Sequence, residues 1–389
     1  MHRKLRLGMV GGGKGSFIGA VHRMAAQLDN EYELICGAFS SDPANSKATG
    51  SNLGIEANRS YSSFEEMFES EKKLPPDLRM EVVSIVTPNH LHFLPAKLAM
   101  ENGFHVVMDK PISFNLAEAE ALKLIAEKTG RLFCLTHTYT GYPMIKEAKQ
   151  LILSGNLGIV RKIYVEYPQG WLSSMLENTG SKQAEWRTDP KRSGIAGAMG
   201  DIGTHAFNMA EYVSGLKVKA VCANINTIVN GRLLDDDGDV LLRFENDTSG
   251  ILFATQVAAG EANNIKLRIS GEHGSLEWQQ EHANSLLIKW LDKPAEILTA
   301  GSNQNYLSSF ALHNCRTPAG HPEGYIEAFA NHYRNFALTV KAFQDKHEPK
   351  TEWLDYPGIE EGIRGMAFIE TVIASGKSGN KWVDMNAEN

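Results

Sequence analysis

The chain has 389 residues, with 46 acidic against 39 basic side chains and a formal net charge of -7. That length provides for two hydrophobic cores, and the acidic balance, with no long Lys/Arg block, speaks against nucleic acid as a partner. No apolar stretch reaches the length of a bilayer span, and four widely spaced cysteines, Cys36, Cys134, Cys222 and Cys315, suit buried thiols in a reducing cytoplasm better than a disulfide framework.

The basic start MHRKLRL leads into a short apolar run that enters a glycine turn with no cleavage-like segment, so residues 5–10 predict a first strand rather than a signal peptide. The turn is GGGKGSFIGA, residues 11–20. A strand that ends in glycines and restarts as a helix presents bare backbone N–H groups to a pyrophosphate, so this opening predicts a dinucleotide site. The spacing is stretched relative to GxGxxG, since Gly11 and Gly13 are followed by Gly15 and Gly19. It predicts a tight turn at 11–13, a longer loop carrying Lys14 and Phe17, then Ile18, and Gly19 where the helix packs closely on the strand.

Further strands are predicted at 34–39, 82–86, 105–108 and 132–135, alternating with helices at 20–28, 90–102 and 115–128. Short apolar strands joined by helical crossovers imply a parallel sheet covered on both faces, with ligands beyond the C-terminal strand ends. After about residue 140 the pattern becomes a helix at 143–153, a strand at 160–167, an irregular stretch to 198 and a helix at 201–213. Successive strands follow between 218 and 290, with turn signals at 245–247 and 271–274 that favour antiparallel neighbours. Helices at 322–343 and 358–375 and a short strand at 381–385 close the chain. The expected fold is α/β: an N-terminal Rossmann parallel sheet, residues 1–140, plus a C-terminal α+β domain, 141–389, with a large open, mainly antiparallel sheet.

Two clusters carry chemistry. Asp109-Lys110-Pro111 follows a buried strand at the ligand edge, where the proline restricts the lysine backbone and the ammonium can donate to a substrate hydroxyl or help move a proton. In GAMGDIGTH, residues 197–205, Asp201 and His205 lie four apart at a predicted helix start. A neutral histidine there serves as general base, with the aspartate orienting it, although a helix cap and a core histidine explain the same pair. Hydride leaves a carbon as its hydroxyl loses a proton, so oxidation of a secondary alcohol needs a base and a donor at the oxygen, which these residues supply.

The chain resembles the Gfo/Idh/MocA family of sugar and cyclitol dehydrogenases, through the glycine turn, the run SIVTPNHLHFLPAKLAMENGFHVVMDKP at 84–111 and GDIGTH at 200–205. Asp109 stands where that family usually has Glu. The resemblance implies that Lys110, Asp201 and His205 form the catalytic set, with the histidine as acid/base, and that Thr87, Pro88, Asn89 and His92 line the cofactor along with Asp109 and Lys110, the lysine lying by both substrate and nicotinamide. It also implies a C-terminal sheet used for homodimer or homotetramer formation. A narrower similarity, to the branch of levoglucosan dehydrogenase and inositol or glycoside 3-dehydrogenases, rests on GGGKGSFIGAVHRMA, LTHTYTGYP, EYPQGWL, KQAEWRTDP and AGHPEGY. It implies His137, Tyr139, Tyr167, Gln169, Trp171, Trp186, Arg187 and His321 around a polyhydroxylated ring, whose CH face suits aromatics and whose rim suits polar groups.

At the end of the second strand Ser40, Ser41 and Asp42 replace a directly placed acidic residue; Asp42 can accept from ribose hydroxyls, favouring NAD, while Lys47 keeps NADP open. A metal site is not expected, because Asp201 and His205 supply two ligands without a third. The competing reading is a non-catalytic protein that binds NAD and sugar for regulation.

Overall fold

The computed structural model describes residues 3–385, which fall into two compact units. The first runs to Thr138 and takes in Ile326–Gly362; the second holds Tyr139–Tyr325 and the chain from Ile363 onward. A single boundary near residue 140 does not contain this return of the chain to the first unit.

In the first unit, strands β1 (Leu5–Gly11), β2 (Tyr32–Ala38), β3 (Val82–Val86), β4 (His105–Met108) and β5 (Phe133–Leu135) form a parallel sheet in the order β2-β1-β3-β4-β5. Every residue of β3, β4 and β5 is buried, as expected when helices cover both faces. The order reverses beside β1, so the turns after β1 and β3 flank the crevice where such sheets bind ligands. The returning helix Tyr325–Gln344 belongs here because its apolar stripe is buried, and because Tyr333 is bound into this core. The Tyr333 hydroxyl meets His22 Nδ1 at 2.7 Å and Ser84 Oγ at 2.8 Å, and its carbonyl accepts from the Tyr32 hydroxyl at 3.0 Å.

Two helices of this unit escape the sequence reading. Pro43–Asn52 has almost no apolar periodicity, and its only signals are the Asp42 cap and Pro43 in the first turn. Phe64–Glu71 is short and capped by Ser63.

In the second unit, β6 (Lys162–Pro168), β7 (Val218–Asn226), β8 (Asp237–Phe244), β9 (Ser249–Thr255), β10 (Lys266–Ser270), β11 (Gly274–Gln279), β12 (Ser285–Trp290), β13 (Glu296–Thr299) and β14 (Val383–Asp384) form one sheet. The order is β13-β12-β11-β10-β6-β9-β8-β7-β14, antiparallel except for β6 against β9. Period-two burial puts Val240, Leu242, Leu252, Leu267, Ile269 and Leu276 inward, where helices Pro143–Leu153 and Thr204–Ser214 pack. The edge strand β13 is absent from the sequence reading. The stretch read as irregular before residue 198 contains helical turns at Leu176–Asn178, Lys182–Arg187 and Pro190–Ser193, the last two started by Ser181 and Asp189 side-chain caps. Cys36, Cys134 and Cys315 are buried and Cys222 is half-buried. No helix among the described residues is long and apolar enough to cross a membrane.

Candidate functional site

In the first unit the glycine turn has the backbone its sequence requires. Gly11, Gly12 and Gly15 all have positive φ, at 84°, 75° and 85°. A Cβ on Gly19 would stand 2.3 Å from the Gly12 Cα, so the helix Phe17–Leu28 crosses the turn backbone to backbone. A Cβ on Gly13 would stand 2.7 Å from the Phe39 carbonyl. Ser16 caps the helix by accepting from Gly19 N at 3.3 Å, and Arg23 Nη1 donates to Gly12 O at 2.8 Å. Beside Gly15 nothing lies within 4 Å of a Cβ position, and Lys14 and Phe17 are exposed. A turn of bare backbone at a helix N-terminus, open on one side, fits a dinucleotide pyrophosphate. Ile18 instead packs on the core group of Met9, Phe39, Ile55 and Val86.

The neighbouring turns complete this edge. Ser40 Oγ accepts from Asp42 N and Asn45 Nδ2, both at 3.2 Å, while Asp42 caps the following helix by accepting from Ala44 N at 3.0 Å; Ser41 and Asp42 are exposed. Thr87 lies beside Gly11, where its Cγ2 would meet a Cβ at 3.1 Å, and its hydroxyl donates to Leu91 O at 2.9 Å. Pro88 is half-buried and Asn89 buried. His92 is fully buried, with Nδ1 2.6 Å from Pro111 O and Nε2 2.8 Å from Thr87 O. Its side chain therefore ties two turns together. Burial lowers its pKa despite the nearby Asp109 and the two carbonyls.

Next to Lys110 in sequence, the half-buried Asp109 meets the buried Thr136 and His22. Asp109 Oδ1 accepts from Thr136 Oγ1 at 3.2 Å and sits 3.7 Å from His22 Nε2. Burial raises the Asp109 pKa, but bonding and charge from His22, with Lys110 and His92, outweigh it and leave the carboxyl below its ordinary value. Thus the shorter acid keeps its charge next to the lysine. His137 is buried close to Lys110; burial, then the charges of Lys110 and His332, push its pKa down to about 3. Its carbonyl accepts from His332 Nε2 at 3.0 Å. The ring is therefore neutral and buried in this unit, and the backbone beside it is tied to the Tyr325–Gln344 helix.

In the second unit, Asp201 lies in a π-helical turn, Met199–Gly203, that continues as the α-helix Thr204–Ser214 bearing His205. Such turns widen the helix and recur at functional sites. The Asp201 carboxylate accepts from Gln256 Nε2 at 2.9 Å and pairs with Arg187 Nε at 3.3 Å. The Arg187 guanidinium lies over Trp186, 4.3 Å from the ring centre, with Trp171 at 5.9 Å. Gln256 also donates to Gln169 Oε1 at 3.3 Å, which accepts from Trp171 Nε1 at 3.0 Å. Gln169 Nε2 donates to Asn263 Oδ1, which also accepts from the Tyr167 hydroxyl at 2.7 Å. Asn263 Nδ2 donates to Tyr139 Oη at 3.1 Å, and the Tyr139 and Tyr167 hydroxyls are bonded to each other. The Tyr139 ring meets His205 edge to face at 4.9 Å, and burial raises both tyrosine pKa values, so both hydroxyls stay protonated at neutral pH.

One network therefore joins Asp201, Arg187, Gln169, Trp171, Tyr167, Tyr139 and His205, with Trp186 stacked on it. Gln256 and Asn263 are its connecting residues, and the sequence reading misses them because an amide in a strand or loop has no motif; the one available signal is their place just after β9 and before β10. His321 is not joined to it by any described hydrogen bond: it is exposed on a turn where its carbonyl accepts from Thr317 Oγ1 at 2.7 Å. Burial pushes the Asp235 pKa up to about 6, with Asp236 adding to the rise and amide donors from Met199 and Gly197 opposing it.

Two family models match the chain: an oxidoreductase family with NAD-binding Rossmann fold over residues 5–137, and the GFO/IDH/MocA C-terminal domain over residues 145–277. The uncharacterized oxidoreductase YfiI of Bacillus subtilis is 34% identical over 98% of this chain and 97% of its own. Levoglucosan dehydrogenase of Pseudarthrobacter phenanthrenivorans is 27% identical over 76% of this chain and 78% of its own. An inositol dehydrogenase homolog from Azotobacter vinelandii, solved with NAD+, has a TM-score of 0.93 at 34% identity and covers 99% of this chain and 98% of its own. The form with NADH and myo-inositol has a TM-score of 0.90 at the same identity and coverage.

Proposed function

The chain belongs to the Gfo/Idh/MocA oxidoreductases, with an NAD(P)-binding Rossmann fold as its first unit, and from that premise we propose that it oxidises one secondary hydroxyl of a pyranose, anhydrosugar or inositol ring, reversibly. The bound dinucleotide supplies the hydride acceptor. His205 takes the alcohol proton, and Lys110 donates to the same oxygen as charge develops on it. Asp201 favours the protonated form of His205, and the Arg187 and Gln256 contacts hold that carboxylate in one orientation. Gln169 and Trp171 bind the ring rim and face, joined by Trp186 and Arg187; His321 remains the outlying member of the proposed binding set.

The observation that carries this reading is the continuous network of amide, phenol, indole and carboxylate groups from Asp201 to Tyr139. It offers many donors and acceptors beside aromatic faces, which is what an uncharged polyol requires. The names of two relatives, levoglucosan dehydrogenase and inositol dehydrogenase homolog, support the same class. Gly11, Gly13, Lys14 and Phe17 are proposed to hold the pyrophosphate side of the cofactor, and Ser40, Ser41 and Asp42 its ribose. The half-exposed outer face of the large sheet, with Tyr164, Ile251, Phe253, Leu287 and Ile297, supports assembly of copies through that face, and the buried cysteines suit the cytoplasm.

A panel of inositols, glucose, glucosides and levoglucosan, with NAD+ and NADP+ in parallel, tests the reading by following the absorbance of reduced cofactor. Turnover of at least one polyol is expected; NADH binding without turnover of any would favour the regulatory alternative.

A further inference from the structure

Arg232 and Asp235 lie three apart in the loop that joins β7 to β8, and both are buried. Arg232 spends all five of its donors on one neighbourhood. Its Nη1 donates to Leu172 O at 2.9 Å and Asp236 Oδ2 at 3.0 Å, and its Nη2 to Ser174 O at 3.0 Å and Glu177 Oε2 at 3.1 Å. Its Nε donates to Glu177 Oε1 at 2.9 Å. Asp236, itself buried, accepts from Ile228 N at 2.7 Å and Val229 N at 3.0 Å, which closes the loop on itself. The segment so held begins immediately after Trp171.

Asp235 faces another segment. Its Oδ1 accepts from Gly197 N at 2.6 Å, its Oδ2 from Met199 N at 2.7 Å, and its carbonyl from Ala198 N at 2.9 Å. Three successive amides are thereby bound to one residue, at the entry to the π turn carrying Asp201. A Cβ at Gly197 would stand 2.1 Å from Asp235 O, so only glycine permits this approach. Neither residue has a described hydrogen bond to Asp201 or His205.

We propose that Arg232 and Asp235 are positioning residues for the substrate site: Arg232, itself held in place by Glu177, sets the Trp171 wall through the Leu172 and Ser174 carbonyls, and Asp235 sets the turn bearing Asp201 and His205. The assignment rests on the polyol dehydrogenase reading above. Because the two contacts end on different parts of that site, they separate kinetically. Loosening the wall weakens ground-state binding of the ring, whereas loosening the turn misplaces the groups that act in the transition state.

The test compares Glu177→Gln and Asp235→Asn with wild type on the best polyol of the panel, with rates normalised to NADH-binding subunits by fluorescence titration. Glu177→Gln is expected to raise KM about fivefold or more with kcat within about twofold, and Asp235→Asn to lower kcat roughly 10- to 100-fold with KM within about threefold. Affinity for NADH stays unchanged in both. Parallel changes in kcat and KM, or no change in either variant, overturn the proposal. Asp235→Ser, which keeps one acceptor, is measured beside Asp235→Asn in case the amide variant fails to fold.

Hydrogen exchange decides the positioning claim independently of turnover. Asp235→Asn or Asp235→Ser should speed exchange at residues 197–201 and leave 172–177 unchanged, with Glu177→Gln doing the reverse. Unaltered exchange at both segments sinks the proposal. A wild type that turns over no polyol while these exchange changes occur would instead sink the function and leave the positioning intact.

Discussion

The cofactor edge of the first unit and the polar network of the second are built by different means. At the glycine turn the ligand-facing surface is backbone, shaped by positive φ at Gly11, Gly12 and Gly15 and by the contact of Gly19 with Gly12. In the second unit the surface is side chains, and each is oriented by another: Asp201 by Arg187 and Gln256, Gln169 by Asn263 and Trp171. A backbone site is damaged by adding atoms, whereas a side-chain network is damaged by removing them. Each kind of change should also be read out on a different ligand.

The strongest challenge to this division is Lys110, which lies in the first unit but is assigned to the substrate oxygen. Lys110→Met should lower kcat by about 100-fold or more while NADH titration stays near wild type. Lost NADH affinity with normal turnover at saturation would return the lysine to the cofactor and remove it from the proposed chemistry.

The two units also respond oppositely to acid. His105 accepts from Leu132 N at 3.0 Å through Nδ1, and burial, then the charge of Arg131, pushes its pKa down to about 4 from 6.5. The stability supplied by the neutral ring is whole above pH 6.5 and is lost as pH falls through about 4, roughly 3 kcal/mol when complete. Asp235 has the reverse sign: its contribution is whole below 3.8 and is lost as pH rises through about 6. Calorimetry between these limits should show His105→Gln flattening the acid loss of stability and Asp235→Asn steepening it. Equal pH slopes in both variants and wild type would contradict the assignment.

A smaller effect is expected from Gly19→Ala, whose methyl meets backbone that cannot rotate away. It should cost about 1–3 kcal/mol of stability and weaken NADH binding, with the polyol KM unchanged at saturating cofactor. The mildest is Gln256→Ala, which removes a bridge between Asp201 and Gln169 worth about 1 kcal/mol and should raise the polyol KM severalfold without altering NADH affinity. Reduced NADH affinity in Gln256→Ala would blur the contrast between the two regions.

Local events were legible in the residues alone: the strand, glycine turn and helix at 5–28, the buried parallel strands, the alternating strands of the large sheet, and the candidates Lys110, Asp201 and His205. These follow from backbone permissiveness, hydrophobic period and residue chemistry over short spans. Folding in three dimensions was needed to return Tyr325–Gln344 to the first unit, to bury His92 and His137 in its framework, and to let Gln256 and Asn263 join distant residues into one network. Such facts depend on partners far apart along the chain: Gln256 acquires a role when folding delivers Asp201, and Asp235 when it delivers the amides of Gly197 and Met199. A hydrogen bond has no sequence period, because its meaning lies in the second atom.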